Sequence, residues 1–121
     1  MSWFHIFLTQ ESKAFAPGQV IFQSGDPAEC MYVVAEGEVE IAFDNGRVEV
    51  VGQEGILGEM ALIDHQPRSA TARAHTACRL VEIPEKRFLY LVHETPHFAL
   101  EVMRVLAERL RAHDKDLRAS S

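Results

Sequence analysis

The sequence of 121 residues contains few cysteines, few aromatic residues and relatively few basic residues. Two cysteines are too few for the disulfide framework of a small secreted protein, and we expect Cys30 and Cys78 to be buried thiols. Twelve Lys and Arg residues stand against eighteen Asp and Glu, which gives a formal net charge of −6. We therefore expect no direct nucleic-acid partner, since non-specific binding to DNA, RNA or an anionic membrane needs a basic face.

The sequence also lacks an apolar run that approaches the length of a membrane-spanning helix. Its first ten residues, MSWFHIFLTQ, have neither the basic region nor the long apolar stretch of a signal peptide, so we expect a cytoplasmic protein with no membrane partner. The composition, 47% hydrophobic and 25% charged, is typical of one globular domain. Residues 1–12 are predicted to form a short helix that packs on this domain.

Residues 13–83 are interrupted every few positions by glycine or a turn cluster, and the short segments between are rich in Val, Ile, Phe and Tyr. The stretch FDNGRV is typical of a hairpin, because Asn45-Gly46 suits a type I′ turn. Many short strands at this spacing predict a small barrel or jelly roll. The predicted strands are QVIFQ, CMYVVAEG, EVEIAF and RVEVVG.

The pattern changes at Pro84, after which the apolar positions follow helical spacing. We predict two helices within residues 84–118, with a break before Pro96, because a proline inside a helix lacks an N–H and clashes with the preceding turn.

This break bears on the stretch HETPH, which matches the H-E-x-x-H pattern of zinc hydrolases. The pattern requires His93 and His97 on one face of an unbroken helix, with Glu94 as the base and a further protein ligand for the zinc. A zinc hydrolase is therefore a remote alternative, and we expect neither an enzyme nor a metal site.

Residues 55–74, GILGEMALIDHQPRSATARA, have the components of an anion-binding site. Gly55 and Gly58 allow positive φ angles and the close approach of a ligand, and residues 59–62 can form one helical turn whose N–H groups suit a phosphate. Arg68 offers a planar fork of donors that matches two phosphate oxygens. The strand that follows has small side chains that leave space for a pocket, namely Ala70, Thr71, Ala72 and Ala74.

Glu59 does not suit a phosphate, because a carboxylate needs a hydrogen-bond donor such as a sugar hydroxyl. One carboxylate for a hydroxyl, Arg68 with Ser69 for a single negative charge, and an apolar cavity together describe a nucleoside cyclic monophosphate. A plain alternative stays open, in which Glu59 and Arg68 form a structural ion pair and Gly58 is an ordinary turn glycine.

The segment GEMALIDHQPRSATA resembles the phosphate-binding cassette of cyclic-nucleotide-binding domains, the family of the bacterial catabolite activators and of the regulatory subunits of cyclic-AMP-dependent protein kinase. APGQVIFQSGDPAECMYVVAEGEVEI and RSATARAHTACRLVEIPEKRF are similar to adjoining parts of that family. The resemblance implies a mainly β fold, a jelly-roll-like β-roll (double-stranded β-helix) with flanking helices. It also implies a regulatory domain whose ligand is cyclic AMP (cAMP) or cyclic GMP (cGMP), with no other cofactor.

The resemblance further implies roles for single residues. Glu59 binds the ribose 2′-hydroxyl, while Arg68 and Ser69 hold the cyclic phosphate. The other implied ligand-binding residues are Gly58, Met60 and Ala61, whose backbone amides face the ligand, and Ala70.

The base contact differs from the family pattern, because His113 and Asp114 stand where the activators have a threonine and a serine on their long helix. Asp114 facing the base would favour cyclic GMP, since a carboxylate accepts from both guanine N1–H and the 2-amino group. A neutral His113 would serve either purine, and the identity of the base stays open.

The final helix has two apolar stripes. Phe98, Val102 and Val105 suit packing on the barrel, and the other stripe has the 3, 4, 3, 4 spacing of a helix that pairs with a second helix. We therefore predict a homodimer and an unidentified effector protein; the alternatives are one wide stripe packed on the barrel, and a protein-interaction module that binds no nucleotide. The predicted dimer seam is Met103, Leu106, Leu110, His113 and Leu117.

Overall fold

The computed structural model describes residues 11–120, without the side chains of Ala61 and residues 113–120. In this part of the chain two four-stranded antiparallel sheets are followed by helices, which confirms the predicted β-roll. The first sheet contains, in spatial order, β1 (Lys13–Phe15), β8 (Cys78–Pro84), β3 (Cys30–Glu36) and β6 (Ile56–Leu57). The second contains β2 (Val20–Phe22), β7 (Ala70–Ala74), β4 (Val39–Phe43) and β5 (Val48–Val51). The helices are α1 (Met60–Ile63), α2 (Glu85–Glu94) and α3 (Pro96–Ser120). The helix predicted for residues 1–12 lies almost entirely outside the described residues.

Strand β3 is apolar on both faces because both faces are covered. Tyr32 and Val34 belong to the cluster between the two sheets. Met31 and Val33 belong to a second cluster, in which the first sheet packs against the helices; Phe98 of α3 is part of this cluster. This double burial explains why the segment CMYVVA lacks the alternation of a half-exposed strand.

The β4–β5 hairpin forms as predicted, but its turn is not type I′. That turn needs positive φ at both Asn45 and Gly46, and only Gly46 has one, at 91°. The Gly46 N–H donates to the Phe43 carbonyl at 2.9 Å, and the Phe43 N–H donates to the Arg47 carbonyl at 2.8 Å. The loop is therefore one residue longer than predicted, with Gly46 as the bulge residue that restores the pairing.

The break between α2 and α3 lies where the sequence predicts it. Thr95, between the helices, has φ −135° and ψ 83°, which are not helical. His93 therefore lies on α2 and His97 on α3, so the H-E-x-x-H residues do not share one helix face. Within residues 11–120 no three or more His, Cys, Asp or Glu side chains are grouped to hold a metal ion.

The two cysteines are free thiols in different surroundings. Cys78 is buried, and burial raises the pKa of its thiol, whereas Cys30 at the start of β3 is half-buried. The prediction of two buried thiols is thus right for Cys78 and wrong for Cys30. No helix within the described part of the chain is long and apolar enough to cross a membrane.

Helix α3 covers the first sheet with the stripe that the sequence predicts. Phe98 and Val102 are buried in the second cluster, and Leu106, which the sequence assigns to the dimer seam, packs partly against the same cluster. Met103 and Leu110, also assigned to the seam, are 58% and 69% exposed. The single wide stripe on the barrel is therefore excluded, and the side chains of the other two seam residues, His113 and Leu117, are outside the described residues.

Candidate functional site

A cavity of about 240 Å³ lies between the inner face of the second sheet, the segment after β6 and helix α3. It borders Ala70 of β7, whose small side chain leaves space that a larger residue would fill. Six of the residues that the sequence marks as candidates line it together, namely Gly58, Glu59, Met60, Arg68, Ser69 and Ala70. Ala61 is the second residue of α1 and follows Met60, which lines the cavity.

Gly58 joins β6 to the turn of α1, and a larger residue cannot replace it without strain. Its φ is 73°, and a Cβ atom built on it would lie 2.5 Å from Nη1 of Arg68. Gly55 is different, since its φ is not positive; a Cβ there would lie 2.3 Å from Cγ1 of Val51. The predicted positive φ is thus right for Gly58 and wrong for Gly55, where close packing requires glycine.

Arg68 is fixed by its backbone to the loop before β3. Its N–H donates to the Asp26 carbonyl at 2.9 Å, and its own carbonyl accepts from the Gly25 N–H at 2.8 Å. These two bonds hold Arg68 at the end of the loop that leads into β7, and its side chain lies inside the roll with 8% of the residue exposed.

The guanidinium of Arg68 is held by carbonyl oxygens and aromatic rings. Nη1 donates to the Gly58 carbonyl at 3.2 Å, and Nη2 donates to the Cys30 carbonyl at 2.7 Å. Its central carbon lies 4.1 Å from the ring centre of Phe22 and 5.9 Å from that of Tyr32. Burial is the main cause that raises the pKa of Tyr32, so its phenol stays neutral beside the cation.

Arg68 has no ion-pair partner among the described residues, and its Nε is buried without a hydrogen-bond partner. The alternative of a structural pair between Glu59 and Arg68 is therefore wrong. A buried cation without a counter-charge is costly, so an anion that reaches this guanidinium would be bound favourably.

Glu59 is paired instead with a residue of the final helix. It is 2% exposed, and Nη1 of Arg109 donates to its Oε1. Arg109 also donates from Nε to Oε2 of Glu49 at 2.9 Å and from Nη2 to the Ile56 carbonyl at 2.9 Å. Burial alone would lower the pKa of Arg109, but the carboxylates of Glu59 and Glu49 outweigh it and raise that pKa, so the guanidinium stays charged.

The sequence reasoning missed Arg109 and Glu49 as site residues. A signal for Arg109 exists, since it continues the barrel-facing stripe of Phe98, Val102 and Val105 at helical spacing. A charged residue on a buried stripe indicates a partner in the core. The signal for Glu49 as a site residue is weaker. Glu49 alternates with valines on the short strand β5, and four residues are too few to show from the sequence which face points inward.

The three guanidinium groups that line the cavity, together with the two carboxylates that pair with two of them, carry one net positive charge within a chain of net charge −6. Two of the three guanidinium groups, those of Arg47 and Arg109, are ion-paired with Glu49 or Glu59, and Arg68 is the third. Three positive charges against two negative ones leave one positive charge. A ligand with a single negative charge, such as a phosphodiester, would neutralise it.

The predicted base contacts His113 and Asp114 lie on α3, but their side chains are outside the described residues. Their role stays a prediction. Phe43, Arg47, Leu106 and Leu110 are among the described residues that line the cavity.

Three known proteins are similar to this chain. A CRP-like cAMP-activated global transcriptional regulator of Mycobacterium tuberculosis is 28% identical over 108 residues, which are 85% of this chain and 48% of the regulator. The crystal structure of the Thermus thermophilus catabolite activator protein superimposes on this chain with a TM-score of 0.76, and the two sequences are 30% identical. The match covers 90% of this chain and 54% of the activator. The cGMP-bound form of the EAL enzyme Bd1971 superimposes on this chain with a TM-score of 0.64, and the two sequences are 34% identical. The match covers 88% of this chain and 30% of the enzyme.

The chain spans 48% of the Mycobacterium tuberculosis regulator and 26% of a potassium channel protein of Rhodopseudomonas palustris to which it is 32% identical. The family model described as a cyclic nucleotide-binding domain matches residues 12–95, which include all eight strands and α2. The chain therefore belongs to the cyclic nucleotide-binding domain family.

Proposed function

We propose that this chain binds cyclic AMP or cyclic GMP in the cavity beside Arg68 and relays its occupancy through helix α3. The observation that carries the proposal is the buried guanidinium of Arg68, which has no carboxylate partner among the described residues. The cyclic phosphate lies against Arg68 and the Ser69 hydroxyl. Backbone amides of Gly58, Met60 and Ala61 at the start of α1 add neutral donors.

The ribose lies against Glu59, whose buried carboxylate accepts a hydrogen bond from the 2′-hydroxyl. Glu59 adjoins Gly58, so ribose and phosphate reach neighbouring residues of one short segment. Solved relatives support this class of ligand, because Bd1971 has both a cGMP-bound and a cAMP-bound form.

Calorimetric titration with cyclic AMP and cyclic GMP tests the binding step. Arg68→Ala should weaken both nucleotides by roughly 2–4 kcal/mol, because the phosphate loses a charge-assisted partner. Arg73→Ala is the matched control, since Arg73 lies five residues later, on β7, and is exposed. Equal affinities for the Arg68 variant and the wild type would refute the assignment.

The ribose contact is tested with 2′-deoxy analogues. Removing the hydroxyl should weaken binding to the wild type and change binding to Glu59→Gln less, because part of the contact is already lost. An equal loss of affinity for the 2′-deoxy analogue in both proteins would mean that Glu59 does not bind the ribose.

The relay depends on Arg109, which links Glu59 to α3. A ribose hydroxyl at Glu59 shares or displaces this guanidinium, so ligand binding favours one position of α3 over another. Hydrogen exchange of α3 amides should change on binding in the wild type and change less in Arg109→Met. We further propose that the chain acts in the cytoplasm as a homodimer through α3, with an effector protein as its partner.

One observation favours a second function, an interaction module that binds no nucleotide. The carboxylate of Glu59 is already satisfied by Arg109, so this half of the site is complete without a ligand. The same titration separates the two functions, because the module gives no binding heat with either nucleotide.

A further inference from the structure

We propose that Cys30, the first residue of β3, is a modification site at which oxidation by peroxide creates a counter-charge for Arg68 and weakens nucleotide binding. The effect on the ligand rests on the proposed function, whereas the contact between the two side chains does not depend on any ligand. Oxidation of this thiol is a second input to a site that otherwise responds to nucleotide alone.

The Cys30 side chain lies on the inner face of the first sheet. Side chains alternate along β3, and Tyr32 and Val34, two and four residues further on, belong to the cluster between the two sheets. Cys30 packs against the same cluster but is only half-buried, whereas Cys78 is 3% exposed. A small oxidant in the solvent therefore reaches Cys30 before Cys78.

The sulfur of Cys30 stands beside two hydrogen-bond donors. Its Sγ is 4.0 Å from Nη2 of Arg68, and the same Nη2 donates to the Cys30 carbonyl at 2.7 Å, which fixes the guanidinium near the sulfur. Burial, and then a hydrogen bond with the Cys30 side chain, raises the pKa of Tyr32, so its phenol keeps its proton. An oxygen added to the sulfur therefore meets a cation and a neutral donor.

Arg68 is a group that such an oxygen anion would neutralise. The residue is 8% exposed, it has no carboxylate partner among the described residues, and its Nε is buried without a hydrogen-bond partner. A buried cation gains from an anion placed in contact with it. The cavity lining includes Arg68 but not Cys30, so the sulfur and a phosphate in the cavity reach the guanidinium from different directions.

Each oxidation step consumes one molecule of hydrogen peroxide. The Cys30 sulfur attacks one peroxide oxygen, the O–O bond breaks as the S–O bond forms, and the departing hydroxide takes the thiol proton and leaves as water. The product is a sulfenic acid, in which the sulfur has lost the two electrons that the peroxide has gained. A second peroxide oxidises the sulfenic acid in the same way to a sulfinic acid, with loss of a second water. A sulfinic acid is ionised at neutral pH.

The sulfinate is an internal counter-ion for Arg68. It cancels the one positive charge that the three guanidinium groups and two carboxylates at the cavity leave. The cyclic phosphate then meets a guanidinium that is already paired. We expect the affinity for cyclic AMP and for cyclic GMP to fall about tenfold, the effect of one charge-assisted hydrogen bond. Both fall alike because both carry the same phosphate.

Calorimetric titration of the full chain before and after treatment with hydrogen peroxide tests the inference. Catalase removes the peroxide before the titration, and mass spectrometry of the Cys30 peptide counts the added oxygens. The wild type and Cys78→Ser should lose about tenfold in affinity for each nucleotide. Cys30→Ser should keep its affinity after the same treatment. It also controls for Met60, which lines the cavity, is 44% exposed and is open to peroxide in every variant.

A second pair of variants needs no oxidant. Cys30→Asp places carboxylate oxygens where the sulfinate oxygens would lie, and Cys30→Asn is its neutral match. Cys30→Asp should bind each nucleotide about tenfold more weakly than Cys30→Asn. Without nucleotide, urea denaturation at neutral pH should give Cys30→Asp the higher free energy of unfolding. Adding Arg68→Met to both should abolish this difference, because the carboxylate then has no cation to pair with.

Three results would overturn the inference while leaving the proposed function intact. They are an unchanged affinity in a wild type whose Cys30 is a sulfinate, a Cys30 that stays a thiol in peroxide, and an equal loss of affinity in Cys30→Ser. If the reduced wild type binds neither nucleotide, the proposed function fails and the effect on binding fails with it. Equal free energies of unfolding for Cys30→Asp and Cys30→Asn would refute the charge contact itself.

Discussion

Arg109 of the final helix donates a hydrogen bond from Nη1 to Oε1 of Glu59, a carboxylate of the cavity wall that lies 50 residues earlier in the chain. The contact fixes α3 against the segment that holds Gly58 and Arg68. Because Glu59 is 2% exposed, this partner and not water stabilises its carboxylate. One ion pair thus connects helix α3 to the wall of the cavity.

Arg109→Met should lower the free energy of unfolding by about 3 kcal/mol, because it leaves the buried carboxylate of Glu59 without its partner. Urea denaturation at neutral pH measures the change. The double variant Glu59→Gln with Arg109→Met should lose less than the sum of the two single variants, since the unpaired charge is absent. Additive losses would mean that the pair contributes nothing beyond its separate members.

Gly58→Ala should reduce both stability and nucleotide affinity. The backbone strain at φ 73° costs on the order of 1 kcal/mol, and the added methyl group would also lie 2.5 Å from Arg68 Nη1. Gly46→Ala is the matched control, since its φ is 91° but no atom lies within 4 Å of the added carbon. Urea denaturation should show a lower free energy of unfolding for both variants, and calorimetry should show weaker nucleotide binding for Gly58→Ala only. Equal nucleotide affinities of Gly58→Ala and the wild type would mean that Gly58 is not part of the binding site.

Met103→Glu should dissociate the proposed dimer. The Met103 side chain is 58% exposed on α3, and a carboxylate at a helix pairing seam would be buried without a partner. Leu89→Glu is the control, because Leu89 is 60% exposed on α2 and outside the seam. Sedimentation velocity without nucleotide should give a dimer for the wild type and Leu89→Glu and a monomer for Met103→Glu. A monomeric wild type would contradict the interface.

Iodoacetamide should alkylate Cys30 of the native protein well before Cys78. Burial raises the pKa of Cys78, so less thiolate is present at a given pH, and the thiolate is the reacting species. Mass spectrometry of peptides after a short reaction measures the two sites. In urea both cysteines should react at similar rates, and a faster native reaction at Cys78 would contradict its burial.

The sequence by itself determined strands β2 to β5 and β7, the break between the two C-terminal helices and most of the cavity segment. Short apolar runs between turn residues bury one face by pairing into sheets, and Pro96 cannot continue the preceding helix because it lacks an N–H and clashes with the turn before it. Gly58, Glu59 and Arg68 were identifiable because their spacing within ten residues is a local property. The resemblance of the same segment to a known family pointed to the ligand class.

The tertiary structure decided which charges meet. The sequence left open a pair between Glu59 and Arg68, but the register of the roll puts Arg68 against carbonyl oxygens and rings, and α3 brings Arg109 to Glu59. The inward direction of Glu49 follows from its pairing with Ile41. Contacts between residues about 50 positions apart depend on sheet register and helix placement, which the packing of the whole core sets and no local pattern encodes.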